Sequence, residues 1–261
     1  MVLGRASVAE SAAVTVDAAI ALSQLEGVGF LSALRRGNVH GALDMGMAPG
    51  LLPGRVPLST GCDAFDQVPA ETGMDTIAML EAAAAGDLDV LVLLGSDPLS
   101  DAPDADLAER GLAGAGTVIA VEMLPNASTL THADLVLAAA APTEVEGTFT
   151  NLEGRMSVAE QKVTPSGTSR ADWMIAAELA LRLGADLGVE SPESIRAEIA
   201  AVSPVHAELT EAALADGRVE GVLISGSSIQ ALTASGSSTP ANDAYSLRLV
   251  AARRMYDNGT M

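Results

Sequence analysis

Between residues 74 and 140 the chain repeats one pattern that leaves few folds open. "MDTIAMLEAAAAG" reads as a helix stopped by Gly86. "DVLVLLG" is a continuous apolar run of strand length, expected to be buried on both faces. "SDPLSDAPDADLAERGLAGAG" gives a loop and then a helix, with Asp104 or its acidic neighbours at the helix start. "TVIAVE" is the next strand, "ASTLTHA" a short helix and "DLVLAAA" a third strand. Strands separated by helices need crossover connections and pair in parallel. The expected fold class is therefore α/β: a doubly wound, mostly parallel sheet with flanking helices.

On the N-terminal side, "MVLG" reads as a strand end and residues 7–25 as a helix. A short strand is expected over 28–34, followed by a Gly- and Pro-rich loop that runs to about residue 70 without clear periodicity. On the C-terminal side, a turn at Pro165 and Gly167 leads to a helix over 171–183, stopped by Gly184. Two further helical stretches are expected over 192–202 and 204–215. The division that follows is an α/β domain over 1–190, a helical extension over 191–224, a Gly/Ser/Thr linker over 225–243 and a strand-like end over 244–261.

Composition narrows the function. The formal net charge is −20 and Lys162 is the single lysine, so phosphate backbones and anionic lipid are repelled and nucleic acid is excluded as a partner. One cysteine, Cys62, excludes an internal disulfide and cannot by itself hold an iron–sulfur cluster. No apolar run approaches the roughly 20 residues of a membrane span, so direct membrane insertion is not expected. His40, His132 and His206 are too scattered to suggest a metal site. Trp173 and Phe149 read as core anchors.

In open parallel sheets ligands bind beyond the C-terminal strand ends. Three loops qualify. The first is "RRGNVHG", 35–41, with Gly37, Asn38 and Gly41. The second is "GSDP", with Gly95, Asp97 and Pro98, beside Glu122 at the end of the next strand. The third is "EGTFTNLEGR", 146–155, with Gly147, Thr148 and Asn151. Each offers glycine for close backbone approach and small polar groups beside it, so together they could cradle a nucleotide or a pterin phosphate. Each is also an ordinary turn composition. In the third loop, Thr148 and Thr150 fall on one face, with Phe149 on the other. Glu146, Glu153 and Arg155 could close a local charge network. No catalytic residue and no metal ligand is assigned.

"ALRRGNVHGALDMG", "LVLLGSDPLSDAPD", "ADLVLAAAAPTEVEGTFTNLEGR" and "RADWMIAAELALRLG" occur in this order. The series resembles the molybdopterin oxidoreductase superfamily over about residues 1–190. Within it the chain is most similar to the large iron–sulfur subunit, the G subunit, of the proton-pumping NADH:quinone oxidoreductase (respiratory complex I) in its actinobacterial form. The resemblance implies a formate dehydrogenase-like α/β domain, with the cluster cysteines upstream of this segment and a β-barrel domain downstream, of which 244–261 would be the start. In molybdenum and tungsten enzymes of that superfamily these loops wrap a bis-molybdopterin guanine dinucleotide. The second loop there usually reads Gly-x-Asn-Pro, where this chain has Asp97. The next strand usually ends in aspartate, here Glu122. Ala138 replaces a usual proline and Ser157 a usual glutamine.

By that resemblance the expected function is a scaffold segment of the peripheral arm in electron transfer from NADH to quinone. It would lie on the cytoplasmic side, peripheral to the inner face of the cell membrane, with the other peripheral-arm subunits as partners. The enzyme activity would belong to the whole complex. No cofactor is expected in this segment, iron–sulfur clusters being expected in the upstream part of a full-length homologue. The residues of the three loops would line a pterin-type pocket that has lost its chemistry. Two alternatives stay open: a fragment of a catalytic molybdenum or tungsten oxidoreductase, and a non-redox nucleotide-binding protein.

Overall fold

In a computed structural model of the chain, residues 3, 12–32, 37–65, 67–224, 245 and 247 are described. The chain divides into two compact units, one of Met1–Gly37 with Ser227–Met261 and one of Asn38–Gly226. In the first unit, helix α1 spans Ala12–Ser23, inside the expected 7–25. Of the strand expected over 28–34, residues 28–32 carry no strand pairing, and Phe30 and Leu31 are exposed. Flanking Gly27, at φ 78°, turns the chain just before that run. Residues 33–36, and the expected linker and terminal strand apart from Tyr245 and Leu247, lie outside the described residues. Tyr245 and Leu247 are exposed and not in a strand.

The second unit opens with α2, Val39–Asp44, and an antiparallel pair of two-residue strands, β1 Leu51–Leu52 and β2 Val56–Pro57. The alternating region follows. Helix α3, Thr76–Ala85, begins at Asp75, whose carboxylate accepts the Ala78 amide at 2.9 Å, and ends at Gly86 in a left-handed turn. Then come β3 Val90–Leu94, α4 Pro98–Asp101, α5 Ala105–Gly114, β4 Thr117–Glu122, α6 Ala127–His132 and β5 Leu135–Ala138. Asp104 caps α5 as expected, accepting the Leu107 amide at 2.9 Å. The three strands form one parallel sheet in chain order, with Val92 beside Ile119 and Ala120 beside Val136.

The core of this sheet is Leu91, Leu93, Leu112, Val118 and Ala120, adjoined by Leu80, Leu107 and Ala108 from α3 and α5. Two glycines let those helices touch. A Cβ on Gly111 would lie 2.8 Å from the Leu80 carbonyl oxygen, and one on Gly114 would collide with the Ala83 carbonyl. The strand "DVLVLL" is not buried on both faces. Leu91 and Leu93 are buried, whereas Val90, Val92 and Leu94 are 51%, 55% and 52% exposed. Among the described residues, these three side chains on the opposite face stay half bare.

The hairpin β6 Gly147–Thr150 and β7 Arg155–Ala159 follows, then α7 Asp172–Arg182 and α8 Pro192–Val202. A 3₁₀ turn at Pro204–His206, helix α9 Glu211–Asp216 and strand β8 Val222–Leu223 complete the unit. β8 pairs antiparallel with β7, and Met156, Leu209 and Leu214 pack with Val222 in a separate small core. The expected helix over 204–215 is split because the Leu209 amide turns back to the His206 carbonyl and Thr210 starts a new helix as its cap. Phe149 is 45% exposed on β6 and is not a core anchor, whereas Thr150, on the other face, is buried. Among the described residues no helix is long and apolar enough to cross a membrane.

Candidate functional site

The second loop leaves the parallel sheet at the end of β3. Gly95 takes φ 57°, and its amide donates to the Val121 carbonyl at 3.0 Å, so the turn is tied to β4. The Ser96 amide donates to Glu122 Oε1 at 2.9 Å, and Asn126 Nδ2 donates to the same oxygen at 3.0 Å. Asp97 sits between two helix starts. Its Oδ1 accepts from the Ser128 hydroxyl at 2.5 Å and the Ser128 amide at 3.1 Å, and its Oδ2 accepts from the Ser100 hydroxyl at 2.7 Å. Pro98 is buried and has no amide proton, and the Leu99 amide donates to Ser128 Oγ at 3.1 Å.

Electrostatics separate these carboxylates. Burial pushes Asp97 up, but the bonds from Ser128 and Ser100 outweigh it and leave the group below the usual aspartate value. Burial raises Glu122 further than its bonds from Ser96 and Asn126 lower it, with the Asp97 and Asp172 charges adding to the rise. Asp172, at the start of α7, is an exposed residue whose carboxyl is still raised by partial desolvation.

The first and third loops meet at one residue. Asn38 adopts a left-handed conformation, φ 61°, before α2. Its Oδ1 accepts the Thr150 amide at 2.8 Å and its Nδ2 donates to the Thr148 carbonyl at 3.4 Å. A Cβ on Gly41 would collide with that Oδ1, which is why a glycine stands there. Gly147 starts β6 opposite Ala159. Asn151 makes the hairpin turn, its Oδ1 accepting the Glu153 and Arg155 amides at 2.9 and 3.0 Å. Gly37 belongs to the first unit. Thr148 and Asn151 thus act through backbone pairing and turn formation. Arg155 pairs with Glu153 at 3.3 Å, but Glu146 turns away to Arg196 at 2.8 Å, so the expected three-residue network is two separate pairs.

These contacts decide what the second loop can hold. A phosphate cradle needs backbone amides pointing outward. Here the Gly95, Ser96 and Leu99 amides have partners within the protein: the Val121 carbonyl, the Glu122 carboxylate and the Ser128 hydroxyl. Those three amides are therefore not free to face a phosphate.

The profile of the molybdopterin oxidoreductase family matches residues 6–182. The chain belongs to the molybdopterin oxidoreductase family. It is 31% identical over 184 residues to the NADPH-Fe(3+) oxidoreductase subunit alpha of Geobacter sulfurreducens, covering 69% of this chain and 22% of that protein. It is 36% identical over 190 residues to the second G subunit of NADH-quinone oxidoreductase in Rhizobium meliloti, covering 70% of this chain and 22% of that one. It is 35% identical over 178 residues to the corresponding G subunit of Streptomyces coelicolor, covering 63% and 21%. Proteins named formate dehydrogenases are similar at 29–32% identity. The chain spans about a fifth of the length of these relatives.

Several groups were not evident from local sequence. Ser128 and Asn126 lie in a stretch that reads only as a short helix, although Asn126 is a helix-cap residue by type and carries that signal. Arg196 is joined to Glu146 across 50 residues, a pairing with no local signal. Ser203 and His206 form a fully buried pair, again without one.

Proposed function

We propose that this chain is the molybdopterin-oxidoreductase-like segment of the G subunit of an NADH:quinone oxidoreductase, acting as scaffold in the peripheral arm. Electrons would pass through iron–sulfur clusters held by another part of that subunit. The observation that supports a scaffold is the self-occupied second loop: Asp97 and Glu122 take the amides and hydroxyls that a cofactor phosphate would need. The G-subunit relatives point the same way. On this reading the partners are the other peripheral-arm subunits and the location is the inner face of the cell membrane. Tagging the chain at its chromosomal locus and purifying from gently solubilised membranes is expected to recover those subunits and NADH:quinone activity. Recovery of the tagged chain alone overturns the proposal.

A second reading, a segment of a formate dehydrogenase-type enzyme, is favoured by one feature. A side chain built at Gly95 or Gly147 would meet no atom within 4 Å, so space remains beside both loops. Metal and pterin analysis of the same preparation separates the two. Stoichiometric molybdenum or tungsten with pterin supports the enzyme, and neither supports the scaffold.

A further inference from the structure

A second polar cluster lies apart from these loops, in the seam where the turn at 202–206 packs on the segment 40–62. Ser203 and His206 are both 0% exposed, and Ser203 Oγ lies 2.7 Å from His206 Nδ1. The turn sits directly on Gly54. A Cβ there would lie 2.8 Å from Ser203 Oγ and 3.6 Å from Val205 Cγ2. The Cys62 thiol donates to the Val202 carbonyl at 3.7 Å. Opposite stands Asp44, itself buried and paired with Arg55 at 2.5 Å. Arg55 Nη2 also lies 2.9 Å from His40 Nδ1. Arginine can only donate, so that nitrogen accepts. Of these titratable and charged groups, Asp44, Arg55, His40 and Cys62, Asp44 acts on His206 electrostatically, and its carboxylate is paired with Arg55.

His206 Nε2 is buried and has no hydrogen-bond partner among the described residues. A proton added to this ring would place a positive charge in a closed seam with no new acceptor to receive it. We propose that this seam is an acid-released latch: protonation of His206 frees the 202–206 turn from the 40–62 segment, while the parallel-sheet core stays folded. Burial holds His206 below the ordinary histidine range, against the opposing pull of Asp44. The sign follows from linkage. A group whose folded pKa is depressed favours the closed seam fully above about pH 6.5, and that preference is lost as pH falls below it.

The test is amide hydrogen exchange by mass spectrometry on the full chain from pH 7.5 to 5.0, corrected for intrinsic exchange at each pH. The amides of His206 and Leu209, both bonded within the turn, report the latch, and those of α5 report the core. Expected is a fall in protection of the turn that approaches about tenfold per pH unit below about 6.5, with α5 unchanged. His206→Gln should abolish the slope, and His40→Gln should keep it. A flat wild-type profile overturns the latch. So does equal loss in α5, or a slope that follows His40 instead of His206. Should His206→Gln not fold, the wild-type profile and His40→Gln still decide.

Discussion

Asn38 and Thr150, 112 positions apart, are joined by an amide-to-side-chain hydrogen bond of 2.8 Å. With its second bond to Thr148, the Asn38 amide takes the place of a neighbouring strand along β6. Asn38→Ala is expected to cost about 2 kcal/mol in urea unfolding, because a strand amide and a carbonyl lose their partner together. Gly41→Ala should cost a similar amount, since its methyl displaces Asn38. Combining Gly41→Ala with Asn38→Gly should give less than the sum of the single losses, by about 1 kcal/mol. Strict additivity would contradict the contact.

Asp97→Asn removes an acceptor. One oxygen must then serve Ser128 while an amide group faces Ser100. A loss of about 1–2 kcal/mol at pH 7 is expected. Because the Asp97 pKa is lowered in the fold, its contribution is present above the unfolded aspartate value and fades as pH falls through the folded one. The wild-type and variant melting temperatures should therefore converge as pH falls below about 3.9, the unfolded aspartate value.

Glu122 behaves in the opposite sense. Its pKa is raised, so stability tied to it is full below the unfolded value and lost as pH rises through the folded one. A glutamine at this position would keep an oxygen for the Ser96 and Asn126 donors without the charge. Glu122→Gln is expected to raise the melting temperature by a few degrees at pH 7 and to leave it unchanged near pH 4. A destabilised variant at pH 7 would contradict the assignment.

Arg196 is buried and binds Glu211 through two nitrogens, at 2.7 and 3.1 Å, as well as Glu146 at 2.8 Å. It fastens α8 and α9 to the entry of the hairpin. Arg196→Ala should destabilise the chain by about 2–4 kcal/mol, the range being lowered by the exposure of Glu211. Arg196→Lys should recover less than half of that, because an ammonium cannot form the fork. Limited proteolysis should show cleavage near 191–224 first.

The parallel βαβ arrangement was legible because each helix carries its own punctuation: Asp75 and Gly86 for α3, Asp104 for α5. Burial was less legible. The run Val90–Leu94 is apolar at every position, so it cannot announce that only Leu91 and Leu93 will be covered. The expected long loop to residue 70 hid a hairpin of two-residue strands, too short to carry a period. At the candidate site the loops could be marked from composition, but not the partners that their side chains take. Asp97 reads as a charge beside a ligand. Only three dimensions reveal that Ser128, 31 positions on, claims it.

The half-bare row Val90, Val92 and Leu94 also has a colloidal consequence. Two such sheets in contact would shed water from both, yet each chain carries a formal charge of −20 that holds its neighbours off. That repulsion reaches only about 8 Å at physiological salt and about 3 Å at 1 M. Light scattering is therefore expected to show separate copies in dilute buffer and association as salt is added.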